Sequence, residues 1–449
     1  MAIINSLFIK TLACLALMFT CGAVYVNSTN QQKGVKTHAD AIKSLKPHKS
    51  LQVSHLIKTV GSGRRADSAY KSKGIISPLT FGAKGDGITD DTEAFQKAIT
   101  AAIQKSYKLD IPSPLKYYKI THTIHVVPTA GAECRLDIEG HGKNQILYTG
   151  PANTSCIKVV GVRFSTWMGV KIGLGTAPGL IGIDLDTDNQ SHSTSHITFV
   201  GCHIGLGKGI GQTAWRLGHV SGGGADISDL LWEGCSVFGN YGNIVSGQKG
   251  WHIEGANTLQ NVWLNCFGAF LDKMFSNTSG PGATGTGNGA CYFFGMGTSQ
   301  NNNDFDISNA QTYLISGGRF ESGKRVLTVN NSNVSPSIIF QGTEINDYGP
   351  TDGVLFYLDM PCSLKLDGLN IGSGRHPAYD NRMITCYGGG NGAGIGRVII
   401  DGGAISANKD EFYKANLNKT HWRVYVRGVG HLKGGVCTDM MTDHPGSAE

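Results

Sequence analysis

Phe81–Thr100 reads FGAKGDGITDDTEAFQKAIT. Its first half is turn chemistry. Gly82, Gly85 and Gly87 free the backbone, and Asp86-Gly87 is a strong turn pair. Its second half starts a helix. Asp90 is the expected N-cap, and Glu93 three residues on completes a capping box. Asp91 and Glu93 also suit the positive end of the helix dipole. Ala94, Phe95, Ala98, Ile99, Ala102 and Ile103 then form one apolar stripe at helical spacing. The acidic residues here have local work as turn and cap formers, so the stretch reads as structure rather than as a reaction site.

Past this helix come short strand-like segments separated by turns: Leu109–Pro112, Tyr117–Ile120, Thr123–Val126 and Leu136–Gly142. A degenerate unit then recurs, of the form bulky-apolar, any residue, Gly, two residues, Ile/Val/Phe. It is seen at Trp167–Ile172, Phe199–Ile204, Trp232–Val237 and, weakly, Trp263–Cys266. Later copies are Ile315–Phe320, Phe340–Ile345, Leu366–Ile371 and Ile400–Ile405. The anchors fall at positions 169, 201, 234, 265, 317, 342, 368 and 402. The long gap after 265 holds one more copy if Ala290-Cys291 marks it. Strand-like units repeating at this period make a solenoid, and the Gly density with β-branched and aromatic residues excludes helical repeats. The residue two before each anchor is large and apolar and must face the core. The residue after it is Cys at 202, 235, 266 and, by this count, 291. A buried cysteine column fits that spacing better than a metal site, which needs converging ligands; disulfides between neighbouring rungs stay open.

The FGAKGDG–TDDT–helix opening and the strand order over Ile76–Gly142 resemble the pectate lyase superfamily, a group that includes polygalacturonase-like enzymes and phage tailspike depolymerases. The resemblance implies an all-β fold: a single-stranded right-handed parallel β-helix (solenoid) with an N-terminal capping α-helix. It is specific for fold and weak for reaction, because the fold hosts lyases, hydrolases, epimerases and non-catalytic adhesins. The resemblance also allows a homotrimer, although no coiled-coil heptad run is present.

Composition agrees. Glycine is frequent (63 residues) and charged residues make up 16% of the 449-residue chain. The net charge of +6 is uneven. Residues 27–74 hold ten Lys and Arg against two Asp, and the chain beyond is mildly acidic, which argues against nucleic acid as a partner. Leu12–Val26 is apolar apart from Thr20 and is preceded by Lys10, as in a signal peptide or signal anchor. The expected organisation is therefore an export segment (1–26), a basic flexible linker (27–74), the β-helix (75–437) and a tail (438–449). The expected location is secreted, periplasmic or cell-surface, with membrane contact only through the N-terminal segment.

The residue two after each anchor is Lys171, His203, Ser236, Phe267, Arg319, Glu344, Asn370 or Ala404, a candidate polar stripe along the axis if this position faces out. Glu321, Asp304, Asp306, Glu233 and His252 are further candidates. Hydrolysis of a glycosidic bond needs two carboxylates, and Asp304, Asp306, Glu321 and Glu344 are available. Elimination from a uronic acid needs a base and a cation, for which Lys171, His203 and Arg319 qualify, and would call for Ca²⁺ held by carboxylates; no other cofactor or metal is expected. Catalysis is assigned to Asp304, Asp306, Arg319, Glu321 and Glu344, and substrate binding to Lys171, His203, Glu233, His252 and Asn370. Arg319 and Glu344 also read as a simple ion pair on adjacent rungs. The sequence lacks the NTD…DD…GHG…RIK set of polygalacturonases and the Asp and Arg clusters of calcium pectate lyases, so no catalytic residue carries over from either. The expected activity is an exported enzyme that cleaves a polysaccharide. The alternatives are a non-catalytic adhesin or spike-like protein, or a tailspike depolymerase.

Overall fold

The structure is a computed structural model describing residues 74–128, 133–187, 192–218, 227–255, 258–278, 289–308, 311–330, 335–349, 354–372, 384–386, 396–405, 422–428 and 430–431. The export segment, almost all of the linker and the C-terminal tail expected from the sequence lie outside these residues.

The short strand segments wind into three long parallel sheets of fifteen, thirteen and ten strands. The first sheet runs from Ile75–Ile76 to Trp422–Arg427, the second from Asp86–Asp90 to Gly430–His431, and the third from Ile124–Val126 to Ile384–Cys386. Each turn of the chain adds a strand to one sheet and then moves to the next. Strand-to-strand crossovers of this parallel kind are right-handed as a rule. The fold is the right-handed parallel β-helix expected from the sequence.

Registry between rungs follows the anchors. Gly169, Gly201, Gly234, Gly317, Gly342, Gly368 and Gly402 all have φ between 58° and 66°, and Asn265 has φ 51°. These residues form the bend from the first sheet to the second, where a left-handed backbone favours glycine or asparagine. The missing copy lies at Gly295 (φ 63°), not at Ala290-Cys291. Cys291 sits in a first-sheet strand opposite Asn261 and Tyr313. The residue after Gly295 is Met296, so the cysteine column is Cys202, Cys235 and Cys266, continued by a methionine. All three cysteines are buried free thiols. Their Sγ atoms lie 3.4 Å from the carbonyls of Trp167, Phe199 and Trp232, one each.

The column two before the anchors packs as aromatic rings. Trp232 and Trp263 stack at 4.8 Å, and Trp263 and Phe293 at 4.5 Å. Each such pair adds about 0.5–1.5 kcal/mol beyond its burial. The third sheet sends Trp215, Phe275 and Phe305 against this stack from the other side, with Trp251 in the same inward column. The indole N–H groups of Trp215, Trp232, Trp251 and Trp263 are buried without a hydrogen-bond partner, a cost of about 1–3 kcal/mol for each.

Helix α1 (Thr92–Lys105) lies at the N-terminal end and buries Ala94, Phe95, Ala98, Ile99 and Ala102. Its cap differs from expectation by one residue. Asp91 is the N-cap, yet its carboxylate turns back to accept the amides of Lys84 and Gly85 at 2.7 and 3.1 Å. Asp90 instead accepts the Thr92 amide at 3.1 Å. Glu93 makes an i,i+4 pair with Lys97 at 2.7 Å rather than a capping box. The turn needs its own carboxylate, and that competition separates the two jobs.

Candidate active site on the third sheet

The expected polar stripe exists, and it lies on the outer face of the second sheet. Lys171, His203 and Ser236 are opposite one another on successive rungs, as are Arg319, Glu344 and Asn370. Arg319 bonds Glu321 at 2.5 Å and reaches Glu344 at 3.9 Å. Glu344 also accepts from Asn346 Nδ2 at 2.7 Å. The Arg319 side chain is 60% exposed, so this is a solvated ion-pair network. Lys171 Nζ donates to the Gly142 carbonyl at 2.7 Å, and His203 Nδ1 meets Ser236 Oγ at 2.9 Å. Burial, helped by Lys171, lowers the His203 pKa. Glu233 stands apart, in a first-sheet strand between Val200 and Leu264. Among the described residues no group of three or more His, Cys, Asp and Glu side chains is placed to hold a metal ion.

Asp304 and Asp306 share the strand Asn303–Ile307 but have different surroundings. Asp304 is buried, with Tyr348 Oη hydrogen-bonded to its Oδ2 and Asn301 Nδ2 donating to its Oδ1 at 2.9 Å. Burial outweighs these bonds and raises its pKa to about 7. The sequence assignment of Asp304 to catalysis therefore meets a core carboxyl group, held as a structural acid.

Asp306 belongs to a different set. Third-sheet registry places Lys158, Asp184, Arg216, His252, Ser276 and Asp306 in one column on successive rungs. Beside it runs a second column containing Lys249, Lys273 and Asn303. The first column alternates with the inward Ile183, Trp215, Trp251, Phe275 and Phe305, so it lines the outer face. Lys249 and Lys273 open their strands and bring their amines to this column, at His252 and Asp306. Arg216 holds Asp184 through two bonds of 2.8 and 2.7 Å and reaches Glu254 at 3.7 Å. Lys158 lies 3.5 Å from Asp186. Lys273 is paired with Asp306, whose Oδ1 also accepts from Asn330 Nδ2 at 2.5 Å.

At the centre sit Lys249 and His252, with Lys249 Nζ 3.2 Å from His252 Nε2. His252 Nδ1 faces the Ser276 carbonyl at 3.3 Å. Burial, then Lys249, push the His252 pKa down to about 3, so it is neutral near pH 7. Its Nδ1–H donates to Ser276, and its Nε2 accepts from Lys249. Burial, then the charge of Lys273, lower the pKa of Lys249. Ser276 Oγ and Asn303 Oδ1 are buried with no partner.

The face thus unites two expected residues, His252 and Asp306, with Asp184, Asp186, Arg216, Lys249, Lys273 and Ser276, which the sequence reading missed. A signal for them exists. Trp215-Arg216-Leu217, Trp251-His252-Ile253, Phe275-Ser276-Asn277 and Phe305-Asp306-Ile307 are a second repeat, with a polar residue between two inward ones.

No family model matches the sequence. Over 83 residues the chain is 36% identical to "Depolymerase 1, capsule KN3-specific" of Klebsiella phage KN3-1, a match spanning 18% of this chain and 10% of that protein. The scaffold is a parallel β-helix. Similar solved structures include an exopolygalacturonase of Thermotoga maritima, at 11% identity, covering 80% of this chain and 91% of that one with a TM-score of 0.40. The catalytic unit of a GH87 alpha-1,3-glucanase from Streptomyces thermodiastaticus is 12% identical, over 80% and 69% of the two chains, with a TM-score of 0.37. The Dettilon tailspike protein is 14% identical, over 80% and 62%, with a TM-score of 0.33. At these values the β-helix proteins accompany the fold and assign no reaction to it.

Proposed function

We propose that this β-helix protein cleaves an acidic polysaccharide on the outer face of its third sheet, by elimination. The observation that carries the reading is the Lys249–His252 pair. It is an amine with a lowered pKa, held against a neutral imidazole and flanked by Lys273 and Arg216. Elimination requires a base for the proton next to the sugar carboxylate and positive charge for the enolate that develops. Lys249 supplies the first, and Lys273 and Arg216 the second. The C–H electrons form the new double bond, the glycosidic C–O bond breaks, and the Lys249 ammonium returns the proton to the departing oxygen.

Hydrolysis fits less well. It pairs two carboxyl groups about 5–9.5 Å apart, one of them holding a proton. Asp184 and Asp306 are four rungs apart, roughly 19 Å, and the nearer pair, Asp184 and Glu254, is taken up by the Arg216 guanidinium between them. Among the described residues, the carboxyl group with a raised pKa is Asp304, which is buried in the core.

The local identity to a capsule depolymerase supports a polysaccharide as substrate and a site of action outside the cell. An exported, surface-associated protein, as a monomer or a homotrimer, is compatible with it; among the described residues no helix is long and apolar enough to cross a membrane. The test is incubation with a panel of acidic and neutral polysaccharides, reading reducing ends and the absorbance of unsaturated uronates. Both signals together are expected. Reducing ends alone would replace elimination with hydrolysis, and binding with neither signal would leave the adhesin reading.

A further inference from the structure

A cleft of about 880 Å³ opens where the chain bends from the second sheet into the third. Asn243, Phe270, Gln300, Asn302, Ser322 and Asp347 are among its lining residues. Phe270, Gln300, Ser322 and Asp347 stack on successive rungs, the amides of Phe270, Gln300 and Ser322 each bonding the carbonyl before the next member at 2.9–3.1 Å. All four have φ between 53° and 61°, so the bend turns their side chains outward at one place. Tyr241, just before the lining Gly242, is 82% exposed and sets its ring edge-on to Phe270 at 4.9 Å. The lining offers side-chain amides and the Ser322 hydroxyl, with Lys324 and Asp347 as its charges. Asn302 Nδ2 is fixed on Asp272 Oδ1 at 2.8 Å, while its Oδ1 is buried and without a partner.

We propose that this cleft is a binding subsite for an uncharged hexose unit of a polysaccharide. Exposed aromatic rings match the apolar face of a pyranose, and a ring of amide groups matches its hydroxyls. A hydroxyl donated from the cleft satisfies Asn302 Oδ1. The balanced charge of the lining gives no preference for a uronate, unlike the third-sheet face. The two sites adjoin along the chain: Asn302 lines the cleft, and Asn303 opens the third-sheet strand that carries Asp306. A chain whose repeat contains both a neutral hexose and a uronate would span them. That last step rests on the cleavage reading; the subsite itself does not.

Saturation-transfer NMR on the full chain tests it, with cellohexaose, maltohexaose and laminarihexaose as neutral probes and trigalacturonate as the acidic one. Binding of at least one neutral probe is expected. It should weaken at least tenfold in Tyr241→Ala and in Asn243→Ala, both exposed positions, and persist in Asp306→Asn. Absence of binding by every neutral probe, or unchanged binding in Tyr241→Ala, would overturn the proposal. If the wild type cleaves no polysaccharide yet Tyr241→Ala still loses the neutral probe, the subsite stands and the cleavage reading falls.

Discussion

The outer faces of the second and third sheets carry the same residue types in the same ladder geometry, and they differ in burial. On the second sheet, Arg319, Glu321 and Glu344 are solvated, and their ion pairs are of the kind worth at most about 1 kcal/mol. On the third, Asp184, Asp306 and His252 are no more than 4% exposed, and each is held by named partners. Desolvation there strengthens every charge interaction and lowers the pKa values of His252 and Lys249. Chemistry-bearing residue types are therefore a poor guide in a solenoid; what matters is which ladder is shielded from water.

The largest effect that would break this contrast belongs to Lys249. Lys249→Arg keeps the charge but cannot deprotonate, and should reduce cleavage by about 10³-fold or more with folding intact by circular dichroism. Wild-type cleavage should rise with pH through the lowered Lys249 pKa, and any residual activity of the variant should lack that limb.

Asp306→Asn comes next. Leaving Lys273 without its carboxylate should cost about 10²-fold in kcat, with Asp306 acting as a positioning residue; Asp306→Glu should recover part of the loss if that role is right.

Asp304 gives a stability effect instead. Its folded pKa of about 7 lies above the ordinary aspartate value of about 3.8, so between those values the folded state binds the extra proton. Stability is full below about pH 4 and is lost as pH rises through 7, by up to about 4 kcal/mol. Asp304→Asn should flatten that slope in denaturant titrations at pH 4 and pH 8 while leaving cleavage within about twofold.

The smallest effects belong to the second sheet. Arg319→Ala and Glu344→Gln should change cleavage by less than about twofold and stability by less than about 1 kcal/mol.

The first bend of each turn was legible in the sequence because glycine marks it, as at Gly201 or Gly342. The second bend was not. It uses Phe270, Gln300, Ser322 and Asp347 in the same left-handed region, and side-chain residues carry no such mark. Those unmarked residues line the cleft. The second-sheet stripe was read correctly as a ladder because it is counted from the glycine anchors. The third-sheet face was largely missed because its own repeat, a polar residue between inward ones, has no glycine to set the count. Misplacing one copy at Cys291 instead of Gly295 shows the same dependence: Phe294-Gly295 followed by Met296 does not look like its cysteine-bearing neighbours.

The most direct test of a third-sheet active site is the absorbance of unsaturated uronates released from an acidic polysaccharide by wild type, Lys249→Arg and Glu344→Gln at equal folded concentration. The account predicts product from wild type and Glu344→Gln at similar rates and essentially none from Lys249→Arg. Loss of product in Glu344→Gln with normal release by Lys249→Arg would contradict it and move the site to the second sheet.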